Sequence, residues 1–150
     1  MAWRVPVPVV LGVLLNRHRV FMLRRSRTPP LPNRWELPGG KVELGEEPEA
    51  ALRRELKEEL GLKVGRLVLF RSYSHVYDLP DGPVHYVLVA YRGHAREGPW
   101  SKPGRWMDAE ALEAAHVIEG SRALVSDLVE ERLVRPARRL TGLRVRPRGP

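Results

Sequence analysis

Apolar stretches alternate with polar, Gly-rich or Pro-rich turns along most of the chain, and their spacing predicts both strands and helices. Short alternating or apolar segments predict strands at 5–15, 20–25, 35–37, 66–77, 84–92 and 104–107. Apolar residues at helical spacing predict helices at 48–60, 108–116 and 121–133, the last with Ser121 as its N-cap. Strands and helices mix without strict alternation or internal repeats, so the predicted fold class is α/β, of the α+β type.

The segment 48–60 is predicted to be an amphipathic helix with defined ends. Pro48 suits the first helical position, where its missing N–H costs nothing, and Gly61 is a natural stop. Apolar side chains recur at every fourth residue of this segment and form one stripe. The stripe consists of Leu52, Leu56 and Leu60. One face of the helix is therefore expected to pack against a core.

A different face of this helix gathers three carboxylates at i, i+3 and i+4 spacing. They are Glu55, Glu58 and Glu59. Like charges at these spacings repel by roughly a few tenths of a kcal/mol per pair, so a compensating cation is expected. Oxygen ligands with no Cys or His in the segment suit Mg²⁺ or Mn²⁺ rather than zinc. The alternative is a solvated helix with ion pairs Glu49–Arg53 and Arg54–Glu58.

Length and composition bound the class of protein. The 150 residues suffice for one domain, and the absence of Cys excludes disulfide and thiol chemistry. The apolar N-terminal run is interrupted by Pro6 and Pro8 and lacks a following small-residue cleavage site, so we interpret it as part of a hairpin rather than a secretory signal. No run reaches the roughly 18 apolar residues of a membrane span, and a cytoplasmic location is predicted. The absence of Gln and the preference for Arg over Lys resemble heat-adapted proteins.

Positive charge is concentrated at the C-terminus. The formal net charge is +8, but residues 132–150 contain seven Arg and no acidic residue, so the rest of the chain is nearly neutral. We therefore divide the chain into a domain at 1–134 and a basic Arg/Pro-rich tail at 135–150. The tail is either a weakly ordered appendage or a segment that attracts polyphosphate or nucleic acid.

Residues 40–62 carry a spaced motif, GKVELGEEPEAALRRELKEELGL. The segment fits G-x5-E-x7-R-E-U-x-E-E-x-G-U, with U an aliphatic residue, and so resembles the signature of the Nudix hydrolases. A looser resemblance covers about 9–133, and the preceding NRWELPGG at 33–40 resembles the MutT-like branch, which hydrolyses nucleoside triphosphates. The resemblance implies a Nudix-like α/β/α sandwich with a mixed β-sheet.

The resemblance also implies a metal centre with Mg²⁺ or Mn²⁺ as the cofactor. The positions that match the family's metal ligands are the carbonyl of Gly39 and the carboxylates of Glu55, Glu58 and Glu59. Glu46 and Arg54 match a supporting pair that braces the loop against the helix and orients the ligands. The general base that takes a proton from water is Glu55 or Glu58, and both alternatives stay open.

Candidate substrate contacts come from two predicted strands. Arg25 falls where related proteins place an Arg against the substrate, whereas its neighbour Arg24 is expected to face the other way. In the strand 66–77, Tyr73 and His75 alternate onto one face with Arg71 and Tyr77 and are candidates for holding a base or phosphate. The alternative is that aromatic alternation reflects strand propensity alone.

The resemblance implies metal-assisted hydrolysis of a nucleoside diphosphate linked to another group, with a nucleoside triphosphate or similar small nucleotide as substrate. The alternatives are the 5′ end of RNA, a nucleotide sugar, or a non-catalytic module that senses nucleotides or binds nucleic acid. No Asn occurs after Asn33, so the purine-reading Asn of the branch that removes oxidised guanine nucleotides has no counterpart near Ser121. No membrane partner is expected, and the oligomeric state is open, a homodimer included.

Overall fold

The computed structural model describes residues 4–27, 30–98 and 100–137. Seven strands form one sheet: β1 (Val7–Asn16), β2 (Arg19–Arg24), β3 (Trp35–Glu36), β4 (Gly39–Lys41), β5 (Leu67–Leu79), β6 (Gly82–His94) and β7 (Gly104–Met107). The helices are α1 (Pro48–Leu60), α2 (Ala109–Ala114) and α3 (Arg122–Glu130), with a 3-10 turn at Glu119–Ser121. Within the described residues, no helix has the length and apolar character needed to cross a membrane.

The sheet is mixed, as the sequence resemblance implies. Its strand order is β3-β2-β1-β6-β5, with β4 beside β1 and β7 beside β2. Strands β1 and β6 are parallel from Val7 opposite Tyr86 to Leu15 opposite His94, and the other strand pairs are antiparallel. The long parallel pair runs through the middle of the sheet and connects its two ends.

Alternation along β1 divides the core into two layers, because successive side chains of a strand point to opposite faces. Val10 and Leu14 belong to the layer beneath α1, whose buried leucines are Leu52, Leu56 and Leu60. Leu11 and Val13 belong to the layer beneath α2 and α3. The expected α/β/α sandwich is thereby confirmed.

Several element boundaries differ from the sequence prediction. The bounds of α1 and β7 match it, but β4 was not predicted, because three residues with two glycines carry no strand propensity and pair only through β1. Helix α2 is capped by Asp108, which accepts from the Ala111 amide at 2.8 Å. The predicted N-cap position of Ser121 is confirmed, because α3 begins at Arg122, although the Ser121 side chain makes no cap hydrogen bond.

The C-terminal contacts of the domain extend one residue past the predicted boundary at 134. Val134 is buried, and the amide of Arg135 donates to the His18 carbonyl at 3.1 Å. The Arg135 carbonyl accepts from the Ala109 amide at 3.2 Å. Residues 138–150, most of the predicted tail, lie outside the described residues.

Leu52 is completely buried between α1 and the sheet, so Leu52→Ala is expected to lower the free energy of unfolding by roughly 2–5 kcal/mol. Leu44 is fully exposed in the loop before α1, and Leu44→Ala is the matched control, expected to change stability by less than about 0.5 kcal/mol. Urea unfolding followed by circular dichroism measures both. Equal losses in the two variants would contradict the packing of α1 on the sheet.

Candidate active site

The centre of the candidate site is the place where α1 lies over the short strand β4. In the pairing of β4 with β1, Gly39 is opposite Leu11 and Gly40 is opposite Val10. Helix α1 buries its apolar stripe on the same region of β1. The acidic face of α1 is thereby brought to the edge of β4, and the amide of Gly39 donates to Glu59 Oε2 at 3.4 Å.

Both glycines of β4 lie in close contacts, one with backbone and one with a side chain. A Cβ at Gly39 would lie 1.9 Å from the carbonyl oxygen of Val10, so any side chain there would collide with β1. A Cβ at Gly40 would lie 2.3 Å from the carboxyl carbon of Glu55. The first glycine therefore permits strand pairing, and the second leaves space for a carboxylate of the site.

Arg54 connects the loop before α1 with the acidic face of the helix. Its guanidinium grips Glu46 through two bonds, Nε to Oε2 at 2.8 Å and Nη2 to Oε1 at 2.9 Å. Through Nη1 it also donates to Glu55 at 3.0 Å and to Glu58 at 3.2 Å. The sequence-predicted supporting pair Glu46 and Arg54 is thus formed, and it lies directly against two of the three predicted carboxylate ligands.

This ion pair perturbs the titration of both partners. The bonds from Arg54, together with the backbone amide of Glu43, lower the pKa of Glu46 to about 2. The bonds to Glu46, opposed by desolvation and supported by Glu55, raise the pKa of Arg54 above its ordinary value. Bidentate contacts between Arg and carboxylate also fix relative orientation, so the pair holds the loop in one position on the helix.

The third carboxylate, Glu59, meets a cation from another segment. Lys102 Nζ lies 3.4 Å from Glu59 Oε1. The loop that carries Lys102 is joined to the end of α1, because the Ser101 amide donates to the Leu60 carbonyl at 3.1 Å. The side chain of Glu59 is mostly buried whereas that of Lys102 is mostly exposed, so the lysine covers the carboxylate from the solvent side.

The predicted ligands have the right chemistry for a divalent cation, although they are not gathered around one point. Among the described residues, no group of three or more His, Cys, Asp or Glu is arranged to hold a metal ion. The physical reason is visible: Glu55 and Glu58 are bonded to Arg54, and Glu59 faces Lys102. Carboxylate and carbonyl oxygens are nevertheless the donors that Mg²⁺ prefers, and the gap at Gly40 accommodates the Glu55 carboxylate.

A cavity of about 180 Å³ opens beside this centre, between the sheet and the 3-10 turn before α3. Its walls are mostly apolar, with a few polar groups from separate segments. The residues that give it its chemical character are Arg25, Glu36, Tyr77, Tyr86, Gly120 and Ser121. An apolar cavity of roughly 150 Å³ is large enough to bind benzene, so this one accommodates an aromatic ring.

Arg25 lines this cavity. The sequence resemblance predicts that this residue contacts the substrate. Its Nη1 donates to Glu36 Oε2 at 3.0 Å, and its Nε donates to the Leu31 carbonyl at 3.2 Å. Burial raises the pKa of Glu36, and the bond from Arg25 opposes that shift. The neighbouring Arg24 lies over the ring of Trp35 at 5.8 Å, so the prediction that the two arginines separate is confirmed.

Tyr77 forms the aromatic wall of the cavity at the end of β5. Its hydroxyl accepts from the Gly120 amide at 2.7 Å, and its ring lies 5.9 Å from that of Tyr86. Burial raises the pKa of Tyr77 above its usual range. His75, predicted to contact substrate, packs its ring 4.5 Å from that of Tyr77 and therefore supports this wall.

Tyr73 has a structural role in place of the predicted contact with substrate. Its hydroxyl donates to Asp127 of α3, and Arg71 bonds the same carboxylate at 2.7 Å. Burial and the Asp127 carboxylate raise the pKa of Tyr73 to about 12. Tyr73, Arg71 and Tyr77 face the same side of the sheet, as the alternation predicts, but Tyr73 is committed to holding α3.

Several functional candidates were not identified from the sequence. Glu36, Tyr86, Ser121 and Lys102 come from four separate segments, and no local spacing relates them. Tyr77 had a signal, because it alternates with Tyr73 and His75 along the predicted strand. Only the tertiary structure shows that Tyr77 is the member of this set that lines the cavity.

Comparison with known proteins places this geometry in a family. The sequence model of the NUDIX domain matches residues 5–128. The chain is 37% identical over 111 residues to an 8-oxo-dGTP diphosphatase of Escherichia coli (strain K12), which covers 71% of this chain and 83% of that protein. It is 31% identical over 152 aligned positions to an RNA pyrophosphohydrolase of Sphingopyxis alaskensis, with 85% of this chain and 94% of that protein covered.

A solved structure agrees with the sequence comparisons. The crystal structure of a MutT NUDIX hydrolase from Burkholderia pseudomallei matches with a TM-score of 0.71 and 26% identity. The match covers 81% of this chain and 97% of the other. The fold is therefore shared with a known member of the family.

The two glycines of β4 are expected to respond differently to alanine. Gly39→Ala should lower the free energy of unfolding by at least about 3 kcal/mol, because the new methyl group overlaps backbone. Gly40→Ala should cost less than about 1 kcal/mol, because the overlapping Glu55 carboxylate can rotate away. Gly65→Ala, where a Cβ meets open space, is the control. Urea unfolding of the three variants decides, and a larger loss for Gly40→Ala than for Gly39→Ala would contradict these contacts.

The lowered pKa of Glu46 predicts a specific pH dependence. A carboxylate whose folded pKa lies below its ordinary 4.5 stabilises the fold above pH 4.5, and this contribution is lost as the pH falls towards about 2. The difference in melting temperature between wild type and Glu46→Gln should therefore be constant above pH 4.5 and shrink below it. Glu47→Gln, at a neighbouring exposed position, gives the background. A difference that does not change with pH would show that Arg54 does not stabilise ionised Glu46.

Proposed function

The chain belongs to the NUDIX domain family, and we propose that it is a divalent-metal-dependent pyrophosphohydrolase of nucleoside triphosphates or similar small nucleotides. One observation carries this proposal: the acidic face of α1 lies at the Gly39–Gly40 edge, next to a cavity with an aromatic wall. A nucleotide carries both phosphates and a base. The acidic face suits the phosphates with their metal ion, and the cavity with the aromatic wall suits the base.

Nudix hydrolases generally use a divalent metal such as Mg²⁺. In this chain, the groups that would hold it are the carbonyl of Gly39 and the carboxylates of Glu55, Glu58 and Glu59. When bound, a divalent cation neutralises phosphate charge and lowers the pKa of water, which is the chemistry that pyrophosphate hydrolysis needs. Lys102, beside Glu59, is an exposed cation within reach of the same phosphates.

The protein's own residues supply the base and hold its position. Glu55 or Glu58 takes the proton from the attacking water; both accept from Nη1 of Arg54, which sets their orientation. Glu46 holds Arg54 from the loop side through two bonds. Arginine keeps its proton at all working pH values, so Arg54 remains a donor to these carboxylates throughout the reaction.

The cavity is proposed to receive the nucleobase. The ring of Tyr77 offers a stacking surface, and the Ser121 hydroxyl and the Arg25–Glu36 pair offer polar contacts at its edge. Stacking of a base on an aromatic ring contributes roughly 1–3 kcal/mol and accepts any base. Since the E. coli relative is named for 8-oxo-dGTP, the first substrates to test are dGTP and 8-oxo-dGTP.

A second candidate substrate is the 5′ end of RNA. It is supported by the similarity to the protein named RNA pyrophosphohydrolase, which extends over nearly the full length of that protein. The two candidates share the same chemistry at α1 and differ only in whether further nucleotides are attached to the first one. A panel of nucleotides and 5′-triphosphate RNA, each assayed for pyrophosphate or phosphate release with Mg²⁺, separates them.

Glu59→Gln is expected to reduce kcat/KM for the best nucleotide by at least about a hundredfold, because it keeps the shape of a proposed ligand but removes its charge. Glu47→Gln, an exposed residue at the start of the same helix, is the matched control and should stay within about twofold of wild type. Steady-state rates at saturating Mg²⁺ measure both. Near-wild-type turnover by Glu59→Gln would refute the proposed metal ligation.

A further inference from the structure

A second and larger opening, which we name the basic cleft, lies at the other end of the sheet. It has a volume of about 980 Å³ and is formed by the β1–β2 turn, the segment entering β5, the end of β6 and the residues after α3. Leu11 of β1 lines the cavity with the aromatic wall described above, and Leu15 of the same strand lines the basic cleft. At about 3.3 Å per strand residue, these two side chains are roughly 13 Å apart.

Five arginines surround the basic cleft, and all five are exposed. They are Arg17, Arg66, Arg92, Arg132 and Arg135. Within the described part of the chain, none of the five forms a salt bridge with a carboxylate. His18 and His94 add two further nitrogen-bearing side chains to the lining.

The acidic residue of the lining does not neutralise this charge. Glu131 is bonded to Arg71 Nη2 at 2.6 Å, and Arg71 also holds Asp127. Among its described lining residues, the basic cleft therefore holds five arginines and one carboxylate that is already paired with Arg71. Elsewhere on the same domain, arginines such as Arg34, Arg53 and Arg54 are paired with glutamates.

Three of the cleft residues are held in a backbone conformation that side chains other than glycine seldom adopt. Arg17, His18 and Arg132 have φ values of 47°, 61° and 60°. Glycine or asparagine would occupy such turn positions with less strain, particularly in the two-residue turn between β1 and β2. Arg17 and Arg132 are thus held in a conformation that arginine seldom adopts, whereas histidine, at His18, is among the residue types enriched there.

We propose that the basic cleft binds the sugar-phosphate backbone of a nucleic acid strand. Guanidinium groups form bidentate bonds to phosphate, and a concave surface lined with one sign of charge concentrates a linear polyanion. A membrane surface is flat and would meet only the rim of such a cleft. Its lining contains no Phe, Tyr or Trp for base stacking, so the contacts are expected to be made to phosphate, and phosphate contacts carry no sequence information.

The sequence beyond the cleft has the same character. Arg135 is the last cleft residue, and residues 138–150 contain five more Arg and no acidic residue. Nucleic acid binding here is separate from the proposed nucleotide hydrolysis, because the cleft shares none of its lining residues with the cavity.

The test uses the full chain and a short single-stranded RNA with a 5′-hydroxyl end and a 3′ fluorophore, which offers no triphosphate to the hydrolytic site. Fluorescence anisotropy gives the Kd over a series of salt concentrations. The variant Arg66→Gln with Arg92→Gln removes two cleft cations, and Arg27→Gln with Arg105→Gln removes two exposed cations outside the cleft. Both double variants carry the same net charge.

Wild type is expected to bind with a steep salt dependence. The cleft variant should bind at least about tenfold more weakly at low salt, and its slope of log K against log salt should fall by about 1.4, which is roughly 0.7 per lost phosphate contact on a single strand. The control pair should bind like wild type. Unchanged kcat/KM on dGTP verifies that the cleft variant is folded.

Two results would overturn the proposal. One is equal loss of RNA binding in the cleft and control variants, which would assign the effect to net charge alone. The other is binding of inorganic polyphosphate or of anionic phospholipid vesicles by wild type without binding of the RNA, which would assign the cleft to a different polyanion.

Discussion

The close approach of helix α1 to strand β4 is the constraint on which the candidate site depends. A Cβ at Gly39 would enter the backbone of β1, so this position requires glycine, whereas a Cβ at Gly40 would displace only the Glu55 carboxylate. The apolar stripe of α1 then fixes the helix on the sheet. The packing of the leucines on the opposite side of the helix thus determines where the acidic face and its carboxylates lie.

Arg54 reduces the repulsion among the carboxylates on the acidic face of α1. Carboxylates at i, i+3 and i+4 repel one another, and a single guanidinium contacts two of them while Glu46 holds it from the loop. The pKa of Glu46 is lowered and that of Arg54 is raised. Both side chains therefore stay charged, and the ion pair persists, across ordinary pH. The loop before α1 is consequently tied to the helix by charge, where few apolar residues are available to do so.

Sequence reasoning succeeded where the signal is local. The bounds of α1, its buried stripe and the Glu46–Arg54 pair all follow from spacing and motif. The ion pairs Glu49–Arg53 and Arg54–Glu58, predicted for an ordinary solvated helix, also form, so that alternative and the Nudix site coexist on one helix. Strand β4 and the cavity were missed because both depend on tertiary partners. Tyr73 shows the limit clearly: alternation gave its face, but only the position of Asp127 gave its role.

The parallel pair β1–β6 extends between two separate openings of the domain. Its beginning, at Val9 and Tyr86, lines the cavity proposed to receive the nucleobase, and its end, at Leu15 and His94, lines the basic cleft. The two strands stay in one unbroken register between these ends, from Val7 opposite Tyr86 to Leu15 opposite His94. The cavity and the basic cleft share no lining residue, so neither opening forms part of the other. One small domain therefore carries a compact candidate site for hydrolysis and, apart from it, a broad surface rich in arginine.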